Sequence, residues 1–240
     1  MGDQKTVRIQ KYLSDAGACS RRAGEKLVEQ GRVAINGKVI FKPGTPVLPL
    51  VDNVTLDGNE IKKKTRRHVA VHKPRGVVST KSDEMGRSIL SDLLPQEWGD
   101  LYPVGRLDRE SEGLILMTND GDFCLKVTHP RYGVIKKYRV TVKGKVENRD
   151  LKPLIQGMRV GDDILKAHAC KVLAKDFAGS LLEIELAEGK NREIRRMMKQ
   201  LNLKIENLRR IQIGPISIGD LKPGKWRVLQ PSEVSSLMQS

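Results

Sequence analysis

Tyr102-Pro103-Val104-Gly105-Arg106-Leu107-Asp108-Arg109-Glu110-Ser111-Glu112-Gly113-Leu114-Ile115-Leu116-Met117-Thr118-Asn119-Asp120-Gly121 sets one carboxylate, Asp108, between two arginines on a glycine-flanked turn that feeds an apolar run. Residues 114–118 read as a strand, and strand-like runs recur on either side, at 68–72, 137–142 and 181–186. In the 137–142 run, Tyr138, Val140 and Val142 alternate with Arg139, Thr141 and Lys143, the period of a strand with one covered face. Helical signals are sparser and lie between strands, around residues 88–94 and 191–201. That pattern predicts an α+β domain on a mixed, largely antiparallel sheet rather than a doubly wound one.

The first 60 or so residues read differently. Ile9, Tyr12, Leu13 and Ala16 fall at i, i+3, i+4 and i+7, which predicts a helix with one buried face stopping at Gly17. Ser20 is placed to cap a second helix that Gly31 ends, with Ala23, Leu27 and Val28 on its apolar side. Residues 32–40 then read as two short strands joined at Asn36-Gly37, a dipeptide suited to a tight hairpin turn. Residues 58–67 are polar with almost no apolar anchor and read as a linker. The expected organisation is a small domain at 7–57, a linker at 58–67 and a larger domain at 68–232.

Charge narrows the class of partner. The 240 residues carry 44 Lys and Arg against 29 Asp and Glu, a net charge of +15, which suits a polyanion. Residues 1–67 hold 14 basic and 7 acidic side chains, so about a quarter of the chain supplies +7 of that charge. A membrane is not expected as partner, because no run approaches the roughly 18 apolar residues of a spanning helix and the basic residues are not gathered on one amphipathic helix. The amino-terminus also lacks the apolar core of a signal peptide. Cys19, Cys124 and Cys170 are odd in number, scattered and without C-x-x-C spacing, which predicts neither a disulfide framework nor a zinc site and fits the reducing cytoplasm.

Two resemblances organise these residues. Gly105-Arg106-Leu107-Asp108, followed by Ser111-Glu112-Gly113-Leu114-Ile115-Leu116-Met117-Thr118-Asn119-Asp120-Gly121, resembles the motif of ribosomal RNA pseudouridine synthases of the RsuA, RluB, RluE and RluF type. The order Arg8, Lys11, then Ser20-Arg21-Arg22-Ala23, then Gly31-Arg32-Val33 and Asn36-Gly37-Lys38-Val39 is similar to the S4 RNA-binding domain that precedes the catalytic domain in that family. The likeness reaches three further segments: Lys73-Pro74-Arg75-Gly76, similar to a K-P-x-G segment beside the active site; Lys136-Lys137-Tyr138-Arg139-Val140, similar to a K-x-Y-x-V strand; and Glu188 to Met198, whose Ile194, Met197 and Met198 form a helical core stripe flanked by Arg192, Arg195 and Lys199.

The resemblance implies that Asp108 is the catalytic carboxylate, that Arg195 pairs with it, and that Tyr138 stacks on the uracil. A guanidinium beside a carboxylate favours its charged form. Arg106 is implied to hold a flipped-out nucleotide, with Lys73, Lys190 and Arg192 as further RNA contacts and Arg8, Lys11, Arg21, Arg22, Lys26, Arg32 and Lys38 gripping the phosphate backbone. The family's chemistry implies no metal and no cofactor, and the chain has neither G-x-x-x-x-G-K-[ST] nor H-E-x-x-H. Arg192-Glu193, where several relatives have His-Gln, resembles the RluB type most, which implies 23S rRNA as the partner of a monomeric enzyme. Two rivals are an RNA-binding assembly factor on a dead catalytic fold, against which the joint retention of Asp108, Tyr138 and Arg195 argues, and a metal-dependent nuclease using Asp108, Asp120 and Asp122.

Overall fold

The computed structural model describes residues 6–62, 64–80 and 83–239, and the chain divides into two compact units between Arg66 and Arg67. Lys63, inside the expected linker, lies outside the described residues.

The amino-terminal unit opens with β1 (Val7–Arg8), α1 (Ile9–Asp15) and α2 (Arg21–Glu29). β2 (Val33–Ile35), β3 (Lys38–Ile40), β4 (Pro46–Val47), β5 (Val54–Leu56) and β6 (Asn59–Glu60) follow. Ser20 caps α2 by accepting from the Ala23 N–H at 3.2 Å. The β2–β3 hairpin turns at Asn36 and Gly37, with φ of 51° and 80°, the left-handed pair that Asn-Gly tolerates. Ile9, Leu13, Val28, Val33, Val47 and Val54 form its core.

The expected linker needs correcting at its front half. β6 pairs with β5, Ile61 packs against the core, and the Tyr12 hydroxyl donates to the Ile61 carbonyl at 3.2 Å. Residues 58–62 therefore finish the first unit. The sequence hid this because the pairing is made by backbone groups, which leave no apolar pattern, and because one anchor, Ile61, suffices for so short a strand.

The second unit contains β7 (His68–Lys73), β8 (Tyr102–Val104), β9 (Glu112–Thr118), α3 (Gly121–Thr128), β10 (Lys136–Lys143) and α4 (Lys152–Gln156). It continues with β11 (Met158–Val160), β12 (Asp163–Leu165), β13 (Ala169–Lys175), β14 (Gly179–Leu186), α5 (Glu193–Gln200), β15 (Ile205–Ile213), β16 (Ile216–Ser217), β17 (Trp226–Val228) and α6 (Pro231–Gln239). Its main sheet runs β13-β14-β10-β15-β9-β7-β17, with β16 on β15 and β8 on β9. β15 and β9 pair in parallel and the other pairs of this sheet are antiparallel, so the sheet is mixed and the fold is α+β.

Burial explains the two sequence patterns. β9 is covered on both faces: Ile115 and Met117 enter a core shared with α4 and α5, while Leu114 and Leu116 enter one shared with α3 and α6. Its apolar run is therefore unbroken. β10 buries Tyr138, Val140 and Val142 and exposes Arg139 and Lys143, hence its alternation. Ile194, Met197 and Met198 dock α5 onto the first core; burying each contributes about 1.5–3 kcal/mol.

Two further expectations change. Residues 88–94 hold a single 3₁₀ turn, Leu90–Leu93, in place of an α-helix. Leu90 is buried there, but Pro95 cuts the segment short. The second domain also runs past residue 232, because α6 buries Leu237 against Gly214 and Val134.

Candidate active site

Asp108 lies on the loop joining β8 to β9, and both of its flanks are tied down. Before it, the Ser79 hydroxyl accepts from the Leu107 N–H at 3.1 Å and donates to the Leu107 carbonyl at 2.8 Å. After it, the Lys73 ammonium donates to the carbonyls of Ser111 at 2.7 Å, Pro74 at 3.1 Å and Arg109 at 3.4 Å. The Gly76 N–H adds a bond to the Arg109 carbonyl at 2.8 Å, and the Ser111 N–H closes a turn on the Asp108 carbonyl at 3.0 Å. A carboxylate carried on a loop is thereby held in one place.

Lys73 requires a correction. It was expected to touch RNA, yet it is fully buried. Burial pushes its ammonium down to about 8 while the charges of Asp108, Glu110 and Glu112 pull it back up. Its work is internal, as the buttress of the Asp108 loop.

α5 supplies the cations that face Asp108. Arg195 donates from Nε to Asp108 Oδ2 at 3.1 Å and from Nη2 to Ser111 Oγ at 2.8 Å, a two-point clamp across the loop. Arg192 caps α5 in a left-handed conformation, φ 48° and ψ 34°, a strained backbone for a residue other than glycine. From there its Nη1 reaches Asp108 Oδ2 at 3.5 Å and Glu110 Oε2 at 3.2 Å, and that bond holds the Glu110 carboxyl below its ordinary range. The first turn of α5 is stabilised by Glu193, whose carboxylate accepts from the Lys190 N–H at 3.0 Å. Burial pushes the Glu193 carboxyl up.

Asp108, Tyr138 and Arg195 line one pocket of about 410 Å³, together with Arg106, Lys190 and Arg192. Tyr138 sits on β10 directly opposite Arg210 of β15, whose Nη1 lies 3.5 Å from the tyrosine hydroxyl. Arg106 is exposed on the rim. The Lys190 ammonium is engaged by the Ile164 carbonyl at 2.9 Å and by Glu188 at 3.7 Å.

Among the pocket groups that were not expected as site residues are Ser111, Lys136 and Arg210. Ser111 and Lys136 sit inside stretches already singled out, and only their contacts distinguish them. Arg210 follows Arg209 in β15, outside the stretches singled out in the sequence, and nothing in the pattern says which of the two turns inward.

In the amino-terminal unit the expected RNA contacts divide. Arg8, Arg21, Arg22, Lys26 and Lys38 are exposed and make no side-chain ion pair among the described residues. Lys11 pairs with Asp15 at 2.7 Å. Arg32 is held by Asp57 through two bonds, of 2.9 and 2.6 Å, which neutralise it locally. Asp120, one carboxylate of the metal-nuclease rival, accepts from the Asp122 and Phe123 N–H groups as the cap of α3. No helix among the described residues is long and apolar enough to cross a membrane.

Comparison with known proteins places the chain. A family model described as RNA pseudouridylate synthase matches residues 67–200, and one for the S4 domain matches residues 7–49. An RNA pseudouridine synthase of Aquifex aeolicus (strain VF5), itself named as uncharacterized, is 38% identical over 98% of this chain and 94% of its own length. The ribosomal large subunit pseudouridine synthase B of Bacillus subtilis (strain 168) is 34% identical over 96% of this chain and 95% of its own. A crystal structure of a pseudouridylate synthase shares the fold, with a TM-score of 0.68 at 24% identity over 96% of this chain and 99% of that one. The chain belongs to the S4-domain RNA pseudouridine synthases, enzymes that isomerise uridine to pseudouridine in RNA.

Proposed function

We propose that this enzyme acts on ribosomal RNA, that of the large subunit (23S), as a monomer in the cytoplasm, and that Asp108 is its catalytic residue. The observation that carries the assignment is the two-point Arg195 clamp, which holds the Asp108 carboxylate in the wall of a small pocket. Its volume of about 410 Å³ falls among small-ligand clefts, so it takes one nucleoside and not a helical stem. The target uridine therefore enters flipped out of its stack, with Arg106 at the rim to hold the strand and Tyr138 to stack on the base. The relative named for the large subunit supports the choice of rRNA. Three free, half-buried cysteines fit a reducing compartment.

Asp108 starts the reaction either by attacking C1′ or by taking the 2′ proton. In both routes the C1′–N1 bond breaks and its electron pair stays on the uracil. The ring turns and C5 bonds to C1′, displacing the Asp108 carboxylate in the first route and, in the second, as Asp108 returns its proton to C2′; the proton on C5 leaves through the Tyr138 hydroxyl, and N1 gains a proton. Atoms and charge balance with no co-reactant.

Asp108→Asn keeps the size of the side chain and removes its charge. Tritium release from rRNA carrying 5-tritiated uridine is expected to fall by about three orders of magnitude or more while RNA binding persists. Activity within tenfold of wild type would remove Asp108 from the role. Pseudouridine mapping in the 23S and 16S rRNA of a deletion strain identifies the subunit.

A further inference from the structure

The pocket that holds Asp108 carries two buried cations, neither of which makes a salt bridge among the described residues. Lys136 and Tyr138 project from the same face of β10, being two residues apart, and Arg210 lies opposite Tyr138 on β15. Lys136 is 9% and Arg210 5% exposed, and both line the pocket that holds Asp108. Arg210 uses Nε on the Leu114 carbonyl at 2.7 Å, while its buried Nη2 has no hydrogen-bond partner among the described residues. Neither side chain forms an ion pair there, although the two are close enough for Arg210 to depress the Lys136 pKa. Burial acts on Lys136 more strongly still, and the Glu193 charge opposes both effects. Two desolvated positive groups side by side are costly to a fold, several kcal/mol without a partner. Such an arrangement persists where a ligand brings the missing negative charge.

We infer that Lys136 and Arg210 form an anion hole for the departing uracil, binding its carbonyl oxygens as the C1′–N1 bond breaks. The inference rests on the reaction assigned above and adds residues to it. Cleavage leaves an electron pair on N1 that spreads over O2 and O4, so negative charge develops on the base and not on the sugar. Asp108 and Arg195, on the β8–β9 loop and α5, are the more exposed pair and serve the ribose; Lys136 and Arg210, the more buried pair, serve the base. Charge that appears only as the bond breaks is what prepositioned cations in a water-poor site stabilise best. The hole also keeps the detached ring from diffusing away while it turns, because the uracil anion stays paired until C5 attacks C1′.

The test varies the leaving group. Fluorine at C5 withdraws electrons, so 5-fluorouracil leaves as a more stable anion and depends less on external positive charge. Large-subunit rRNA transcripts are made with uridine or with 5-fluorouridine, and single-turnover disappearance of the target nucleoside, which reads C1′–N1 cleavage and does not need the C5 proton that the fluorinated base lacks, is followed by chromatography of nuclease digests for wild type and Lys136→Met. The variant is expected to lose about a hundredfold or more on uridine and at least tenfold less than that on 5-fluorouridine, with RNA affinity within threefold of wild type. Arg210→Gln, whose amide can still reach the Leu114 carbonyl, is expected to show the same difference. Each preparation meets both RNAs, so loss through misfolding cancels from the ratio. An equal loss on the two RNAs, or a loss of binding alone, overturns the anion hole. A wild-type enzyme that leaves both rRNAs unmodified overturns the rRNA assignment instead, so the two failures are distinguishable.

Discussion

Lys73 shows how a residue can matter to a site without entering it. Its ammonium spans three carbonyls around the Asp108 loop, and its burial pushes it down to about 8 from 10.5. The consequence for stability has a definite sign. Below pH 8 the folded and unfolded chains both hold the proton, and the cost of burying the charge is fully present. Between about 8 and 10.5 the unfolded chain holds more protons than the folded one, so the free energy of unfolding rises with pH. The whole rise is roughly 3 kcal/mol at 1.36 kcal/mol per unit. Lys73→Met is expected to lose this contribution and to leave the buried Ser111 carbonyl without its Lys73 bond. Urea unfolding at pH 7.5, 8.5 and 9.5 should therefore show wild type gaining on the variant as pH rises, with the variant less active throughout because its Asp108 loop is released. Parallel pH curves would show that Lys73 carries no net strain.

At the scale of elements, the site depends on the one parallel contact of the sheet, where β9 lies against β15. Gly113 of β9 faces Arg210 of β15 at φ 109°, and a Cβ there would stand 2.2 Å from the Arg210 carbonyl oxygen and 2.7 Å from its nitrogen. Both obstacles are backbone, so nothing small can move aside. Gly113→Ala is expected to cost roughly 3 kcal/mol or more, since strain and overlap add. Gly144→Ala is the control: φ is 84° but no atom lies within 4 Å, so it should cost about 1–2 kcal/mol, the left-handed strain alone. Chemical denaturation of the two variants separates the terms. Similar losses would mean that β9 and β15 yield easily, and that Arg210 is not fixed by this contact.

Taken whole, the roles proposed for RNA grip and for chemistry fall to different units of the chain. Every residue lining the pocket lies between Val104 and Ile213, inside the second unit, and the unpaired cations Arg21, Arg22 and Lys26 lie inside the first. Phosphate contacts release counterions, so Arg21→Ala with Arg22→Ala is expected to reduce the log–log salt slope of rRNA binding by about 1.4–1.8 and leave the rate at saturating RNA unchanged. Arg32→Ala should leave the slope alone and cost stability, because its charge already belongs to Asp57. A slope that follows Arg32 and ignores Arg21 and Arg22 would reverse this division. Local regularities were legible in the sequence: the Ser20 cap, the Asn36-Gly37 turn, the alternation of β10, the apolar run of β9 and the motif that contains Asp108 each rest on neighbouring residues. What the sequence left open was decided by pairing between distant segments. The polar strand β6 joined the first unit through backbone bonds, Lys73 went inside to hold a loop more than 30 residues away, and Arg210 rather than Arg209 turned into the pocket. A cation that binds RNA and one that is buried under the site are the same letter, and only the chain folded around it fixes which carbonyls, carboxylates or waters it meets.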